Sequence, residues 1–324
     1  MGAAKRFDYT LRNLARLQAR LFSAGRNPIE TECARPRPTT PIFLPGATSI
    51  CYVGAYSTAR RPGQMTARLD VQTHDGVLLL TIDNPAQRNA LMPEFSRAAA
   101  EALRVAAADP AVGAAVLTGA GAHFCSGGNL ASLREFQDKP RAAIVARIGV
   151  LNELIRSMRQ FPKPIIAAVE GNAAGAGFSL ALACDLIVAA RDARFTMAYV
   201  KIGVSPDGAP SLLLPRALPL QLASELLMEG VPIGAERLYQ AGVINRLVDP
   251  GEALAQAQAW AAKLAQGATG AIGRIKRLIN QSVCPELASH LELERESFSQ
   301  LLHQPEAREG IAAFLEKRAA QFPK

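Results

Sequence analysis

Two glycine-rich turns, about fifty residues apart, limit what this chain can fold into more than any other feature. The first is His123-Phe124-Cys125-Ser126-Gly127-Gly128-Asn129-Leu130. The second is Glu170-Gly171-Asn172-Ala173-Ala174-Gly175-Ala176-Gly177-Phe178-Ser179. Each follows a short apolar run that reads as a buried strand, 113–118 before one and 164–169 before the other. Each leads into a helical pattern. Two strand–turn–helix units can aim two backbone N–H groups at one point. Such a pair stabilises negative charge developing on an oxygen without a charged side chain. The same glycines also suit tight packing of a strand on a helix, with no chemistry attached.

Around the turns the pattern alternates. A strand is predicted over 77–82, a turn at Asp83-Asn84-Pro85, and a helix from Pro93 to about Ala108 that ends at Asp109-Pro110. Further helices are predicted over 142–160 and 176–183, and a strand over 185–190 with a shorter one from Phe195. Beyond Pro210 the pattern is helical: 211–217, 220–228, 234–240, 252–266, 270–280, 285–302 and 306–320. Alternating strands and helices followed by a helical tail predict an α/β fold. The expected organisation is an extension over 1–64, a core over 65–265 and a helical region over 266–324.

Composition narrows the function classes. The chain has 324 residues, 49% of them apolar, so it can bury a large core. No run approaches the ~20 apolar residues of a membrane span, which predicts a soluble protein. The net charge of +8 sits almost entirely in residues 1–64, which carry ten Lys/Arg against three Asp/Glu. The rest is about neutral, which argues against a nucleic-acid partner. Residues 1–64 are Arg-rich, with a weak amphipathic pattern over 10–23. They read as a transit peptide, a disordered arm, or the product of a start codon placed upstream of Met65. Five cysteines, an odd number with no metal-ligand spacing, point to a reducing compartment. The expected location is the bacterial cytoplasm, or the mitochondrial matrix if 1–64 is a transit peptide. The four histidines are too scattered for a zinc site.

An ordered series of segments resembles the crotonase superfamily, the enoyl-CoA hydratases and isomerases. The series is Asn84-Pro85, then Arg88-Asn89-Ala90-Leu91, the Phe124–Leu130 turn, Pro162-Lys163-Pro164, the Gly171–Gly177 turn, Ala183-Cys184-Asp185, and Gly203-Val204-Ser205-Pro206-Asp207-Gly208. The resemblance covers about 70–320. It implies a crotonase-like spiral of ββα units with C-terminal helices, and a homotrimer or homohexamer. It implies an acyl-CoA thioester as substrate, with coenzyme A present only as part of that substrate and no separate cofactor or metal. The N–H groups of Ser126 and Ala176 would hold the thioester oxygen. Ala90, Gly127, Gly128, Asn129, Leu130 and Gly175 would line the substrate. Arg88 and Lys276 would meet the CoA phosphates.

The resemblance also exposes two departures. Hydratases of this family use two glutamates, and here those positions hold Ser179 and Tyr199. Water addition needs a base and an acid, so that route lacks both groups. One carboxylate remains, Asp207, where double-bond-shifting subgroups carry an acidic residue. An isomerase needs only one such group. Apolar neighbours Ile202, Val204, Leu212 and Leu213 should raise its pKa; the competing role is an N-cap for the helix that follows. Tyr199 either packs or donates to a ring oxygen, and Ser179 lies near the pocket. Cys125 reads as structural. The nearest subgroup resembles the ring-1,2-epoxyphenylacetyl-CoA isomerases and the alternative-type oxepin-CoA hydrolases of phenylacetate breakdown. There, glycines usually follow Asp-Gly, whereas this chain has Ala209-Pro210. Isomerisation is the leading expectation. Hydration or ring hydrolysis, and a catalytically weak binding protein, are the alternatives.

Overall fold

The computed structural model describes residues 68–136, 138–282, 295, 304–316 and 318–323. The expectations for residues 1–64 and most of the helix over 285–302 lie outside these residues.

The chain opens with β1 (Arg68–His74) and β2 (Val77–Asp83), joined by Asp75-Gly76 as an antiparallel hairpin. Both turn residues have positive φ, as a two-residue hairpin favours. Then come α1 (Pro93–Ala108), β3 (Ala114–Gly119), α2 (Leu130–Arg134) and α3 (Arg141–Gln160). Next are β4 (Ile165–Val169), β5 (Asn172–Ala174), α4 (Ala176–Ala183), β6 (Leu186–Ala190) and β7 (Arg194–Thr196). The second half holds α5 (Pro210–Ala217), α6 (Leu220–Glu229), β8 (Pro232–Gly234), α7 (Ala235–Gln240) and β9 (Arg246–Val248). It closes with α8 (Ala253–Ala265), α9 (Thr269–Gln281) and α10 (Pro305–Leu315).

Six strands form the larger sheet in the order β1-β2-β3-β4-β6-β9, parallel except for the β1–β2 hairpin. A smaller sheet runs β5-β7-β8. A strand of the large sheet, a strand of the small sheet and a helix recur in that order as β4–β5–α4 and as β6–β7–α5. This is the ββα spiral expected from the sequence. The short strands β5, β8 and β9 carry no legible alternation, since three residues cannot establish a period.

Alternation along β2 sorts the core. Leu78, Leu80 and Ile82 join one cluster with Phe95, Ala99 and Leu103 of α1 and with Leu154 and Met158 of α3. Val77 joins the opposite cluster, against α8. That helix presents Ala253, Ala257, Ala261 and Ala265 at four-residue spacing, all buried, so it lies close on the sheet. The site's turns leave the C-terminal ends of β3 and β4, between these layers.

Candidate active site

The two glycine turns touch each other. Phe124 N–H donates to Glu170 O (2.8 Å), Cys125 N–H to Asn172 O (3.0 Å), and Ala174 N–H to Cys125 O (2.9 Å). Cys125 and Ala173 thereby pair as a one-residue parallel bridge. The first turn becomes a short extra strand on β5. The glycines are needed because backbone meets backbone. A Cβ at Gly177 would stand 2.4 Å from Cys125 O, and one at Gly127 (φ 92°) would stand 2.7 Å from Ala174 O. The same Gly127 Cβ would lie 3.3 Å from Ala176 N, so the first turn borders the N-terminus of α4.

Which N–H groups remain free decides what this corner can bind. Ser126 N–H donates to Arg88 O (2.9 Å) and its hydroxyl to Gln87 O (3.1 Å). Gly127 N–H faces Cys125 Sγ (3.4 Å), and Asn129 N–H donates to Leu91 O (3.2 Å). Gly128 N–H has no acceptor among the described residues, and neither has Ala176 N–H in the first turn of α4. The expected donor pair therefore changes by one member. Ser126 is already committed to Arg88, and Gly128, next to the Gly127 that borders Ala176 N, has the unpaired N–H in its place. Such a pair at a helix N-terminus can hold a carbonyl oxygen as negative charge develops on it.

Asp207 sits at the end of a hydroxyl network. Tyr199 donates its O–H to Asp207 Oδ1 at 2.8 Å, and its oxygen also lies 3.0 Å from the Asp207 carbonyl. Ser179 Oγ lies 3.1 Å from the Tyr199 hydroxyl and 3.1 Å from the Asp207 carbonyl. Ser179 is fully buried and Tyr199 nearly so. Desolvation raises the Asp207 pKa above the ordinary carboxylate range, opposed by the Tyr199 hydrogen bond. The direction matches the sequence expectation. Of the apolar neighbours, Leu213 packs on the core, while Ile202, Val204 and Leu212 are about half exposed (48%, 50% and 48%). The 207–208 turn packs inward. A Cβ at Gly208 would stand 3.0 Å from Ser179 Cβ and 3.5 Å from Leu151 Cδ2.

Asp207 is not the helix cap. The N-cap of α5 is Ala209, with φ 67° and no side-chain hydrogen bond, followed by Pro210 at the first helical position. Ala209 thus holds a left-handed conformation that favours glycine. The Cys125 thiol is fully buried and pushed up to about 12, so it carries no nucleophilic thiolate at neutral pH.

Known proteins similar to this chain are numerous. The sequence model described as Enoyl-CoA hydratase/isomerase matches residues 72–324. The chain belongs to the enoyl-CoA hydratase/isomerase family. A 1,2-epoxyphenylacetyl-CoA isomerase of Escherichia coli (strain K12) is 36% identical, over 76% of this chain and 95% of that protein. A 2,3-dehydroadipyl-CoA hydratase of the same strain is 34% identical, over 79% of this chain and 98% of its own length. The crystal structure of an enoyl-CoA hydratase from Polaromonas sp. JS666 superposes with a TM-score of 0.77 at 46% identity, over 79% of this chain and 99% of that one.

Within this enoyl-CoA hydratase/isomerase chain, several expected substrate contacts are engaged elsewhere. Lys276 does not face solvent. Its Nζ is buried and pairs with Asp185 Oδ2 at 2.7 Å, donating also to Met158 O (2.9 Å) and Lys163 O (3.1 Å). It is corrected from a phosphate-binding cation to an internal tie. Asn129 Oδ1 caps α2 by accepting from Ser132 N (2.9 Å), while its Nδ2 donates to Gln87 Oε1 (2.6 Å). Ser179, with no exposed surface, acts behind Asp207 and not on the pocket wall. Arg88 is exposed, and its guanidinium has no partner among the described residues. Ala90 is buried, and Leu130 is exposed at the start of α2. Gly175 N–H donates to Thr196 O (2.8 Å), fixing the turn to β7.

Asn89 is the residue whose role the motif did not reveal. It is fully buried with φ 58°, accepts from Asn84 N (2.9 Å), and donates to Ala120 O (2.9 Å) and His123 O (2.6 Å). It joins the 84–91 segment to the first glycine turn. Asn is among the few non-glycine residues that tolerate this φ, and that was the available signal.

Proposed function

We propose that this family member isomerises an acyl-CoA thioester, moving a double bond or rearranging a ring, with Asp207 as the sole proton carrier. The observation that carries the reading is the Ser179–Tyr199–Asp207 network. It joins Ser179 and Tyr199, the positions at which the family's hydratases have glutamates, to one partly desolvated carboxyl. The thioester oxygen would sit between the N–H groups of Gly128 and Ala176. The Asp207 carboxylate would take a proton from one carbon of the acyl chain, and the electrons would move onto the thioester oxygen as a dienolate. The protonated Asp207 would return the proton to a carbon further along, so the mass is unchanged. A raised pKa makes the carboxylate a stronger base for the first step. The free Arg88 guanidinium is suited to the CoA phosphates. This chemistry draws on no cofactor beyond the CoA of the substrate.

The similarity to the epoxyphenylacetyl-CoA isomerase supports an aromatic-ring-derived acyl group, as in phenylacetate breakdown. The similarity to a dehydroadipyl-CoA hydratase favours a second reading, water addition assisted by Asp207. A mass-resolved product assay separates them. The full chain and Asp207→Asn would be given aromatic-ring and straight-chain enoyl-CoA esters. A product of unchanged mass that disappears in Asp207→Asn is expected. A gain of one water dependent on Asp207 would establish the second reading instead. We also propose a homotrimer or homohexamer, which sedimentation would refute by showing a monomer.

A further inference from the structure

We propose that Tyr199 is a positioning residue that assigns the two oxygens of Asp207 different tasks: Oδ1 is anchored by the Tyr199 hydroxyl, and Oδ2 alone accepts and returns the substrate proton. The proposal rests on the isomerase reading only for what the proton does. The anchoring itself stands on the geometry of three side chains.

Tyr199 has one O–H proton and two acceptors in reach, Asp207 Oδ1 at 2.8 Å and the Asp207 carbonyl at 3.0 Å. The carboxylate oxygen is the shorter contact and the charge-assisted one. Ser179 donates to the Asp207 carbonyl at 3.1 Å or to the Tyr199 oxygen at 3.1 Å, so its hydroxyl supports the same arrangement. Among the described residues no other residue hydrogen-bonds Asp207 Oδ2, and the carboxyl otherwise meets only the backbone N–H of Asp207 itself. One oxygen is held by a neighbouring side chain and the other is not.

The anchor works in both protonation states. When Asp207 is ionised, Tyr199 stabilises the negative Oδ1. When Asp207 is protonated, an O–H on Oδ2 leaves Oδ1 to go on accepting the shorter of the two Tyr199 contacts. Tyr199 cannot trade its own proton into the reaction readily, because burial and the adjacent carboxylate push its phenol above its ordinary range. It therefore remains a neutral donor throughout. The backbone holds the same geometry, since Gly208 (φ 72°) and Ala209 (φ 67°) turn the chain directly after Asp207. Donation to a ring oxygen, the alternative read from the sequence, would require Tyr199 to release Asp207.

The test needs one readout that does not depend on turnover. The side-chain carboxyl of Asp207 would be titrated by carbon-13 NMR in the full chain, with Asp207→Asn assigning the signal. In Tyr199→Phe, which keeps the ring and loses only the hydroxyl, the Asp207 pKa is expected to move further up. A ring-fluorinated tyrosine at position 199, a stronger donor, is expected to move it down. An unchanged or opposite response in these two proteins overturns the anchoring. The fluorinated protein preserves the test if Tyr199→Phe fails to fold. The second readout is proton return from a 3-enoyl-CoA ester deuterated at C2. Wild type is expected to retain deuterium in the product. Tyr199→Phe should retain less, with kcat about tenfold lower (about 1.4 kcal/mol of barrier) and KM little changed. Its acidic limb should move to higher pH. Equal retention and an unmoved limb overturn the assignment of Oδ2. Water addition by wild type would instead overturn the isomerase reading, and the titration would still decide the anchor.

Discussion

At the scale of single residues, this site trades stability for chemistry. Asp207 binds its proton more tightly in the folded chain than in the unfolded one, because desolvation outweighs the Tyr199 hydrogen bond. The sign follows. As pH rises through the unfolded carboxylate value, about 3.9, the unfolded state ionises first and folding loses stability until the native Asp207 ionises as well. Asp207→Asn removes that loss while keeping an oxygen for Tyr199. Its urea midpoint at neutral pH should equal or exceed wild type, while turnover falls by about 100-fold or more. A lower midpoint would mean that the charged carboxyl supports the fold. Ser126 gives the opposite kind of test. Its N–H serves Arg88 O, so an amide-to-ester replacement that removes only the Ser126 N–H should keep turnover within a few-fold. Losing a true oxyanion donor costs roughly 100-fold to 1,000-fold. A loss of that size in the kinetics of the ester-substituted chain would return the Ser126 N–H to the site.

At the scale of elements, the site depends on how closely α4 approaches the first glycine turn. That approach is set by Gly177, whose missing side chain lets Cys125 O come within contact. Gly177→Ala gains helix propensity but forces a methyl to 2.4 Å from that oxygen. The turn and the helix must separate, costing about 1–3 kcal/mol as an overpacked contact. The Ala176 N–H moves with the helix, so turnover should fall more steeply than the melting temperature. Calorimetry beside steady-state kinetics measures both, and a stable, fully active variant would show that the approach is not needed. The turns themselves were legible as glycine patterns between strand and helix. Their contact was not, because it is made by β5 and the Cys125–Ala173 bridge, which are too short to leave a periodic trace. Likewise the β1–β2 hairpin was not read, since the strand pattern was taken up only from 77.

At the scale of the whole molecule, Lys276 ties the C-terminal helical region to the core. It reaches from α9 into the junction of α3 and β4, where Asp185, Met158 O and Lys163 O receive it. Asp185 in turn accepts from Ile165 N (2.8 Å) at the start of β4. Gly273 completes the junction, since a Cβ there would stand 2.1 Å from Pro162 O. Burial lowers the Lys276 pKa and raises that of Asp185, and each opposes the other's shift through the ion pair. Removing one partner strands the other. Lys276→Met should cost about 3–5 kcal/mol in urea denaturation, and adding Asp185→Leu should recover much of it. A Lys276→Met variant as stable as wild type, with weakened CoA binding, would restore the phosphate-binding role.

What the sequence determined by itself is the class of fold and the family: apolar strands, helical periods and an ordered set of turns are local patterns, and they persisted in the folded chain. It also singled out Asp207, the one carboxylate remaining in the segment when the two glutamate positions hold Ser179 and Tyr199. The tertiary structure decided how these groups are used. Gly128 rather than Ser126 has an N–H without an acceptor among the described residues, Tyr199 bonds Asp207, and Lys276 turns inward. Each depends on partners far along the chain, Arg88, Asp207 and Asp185 among them, and a hydrogen bond or ion pair closed across such separations leaves no mark on the spacing of residues.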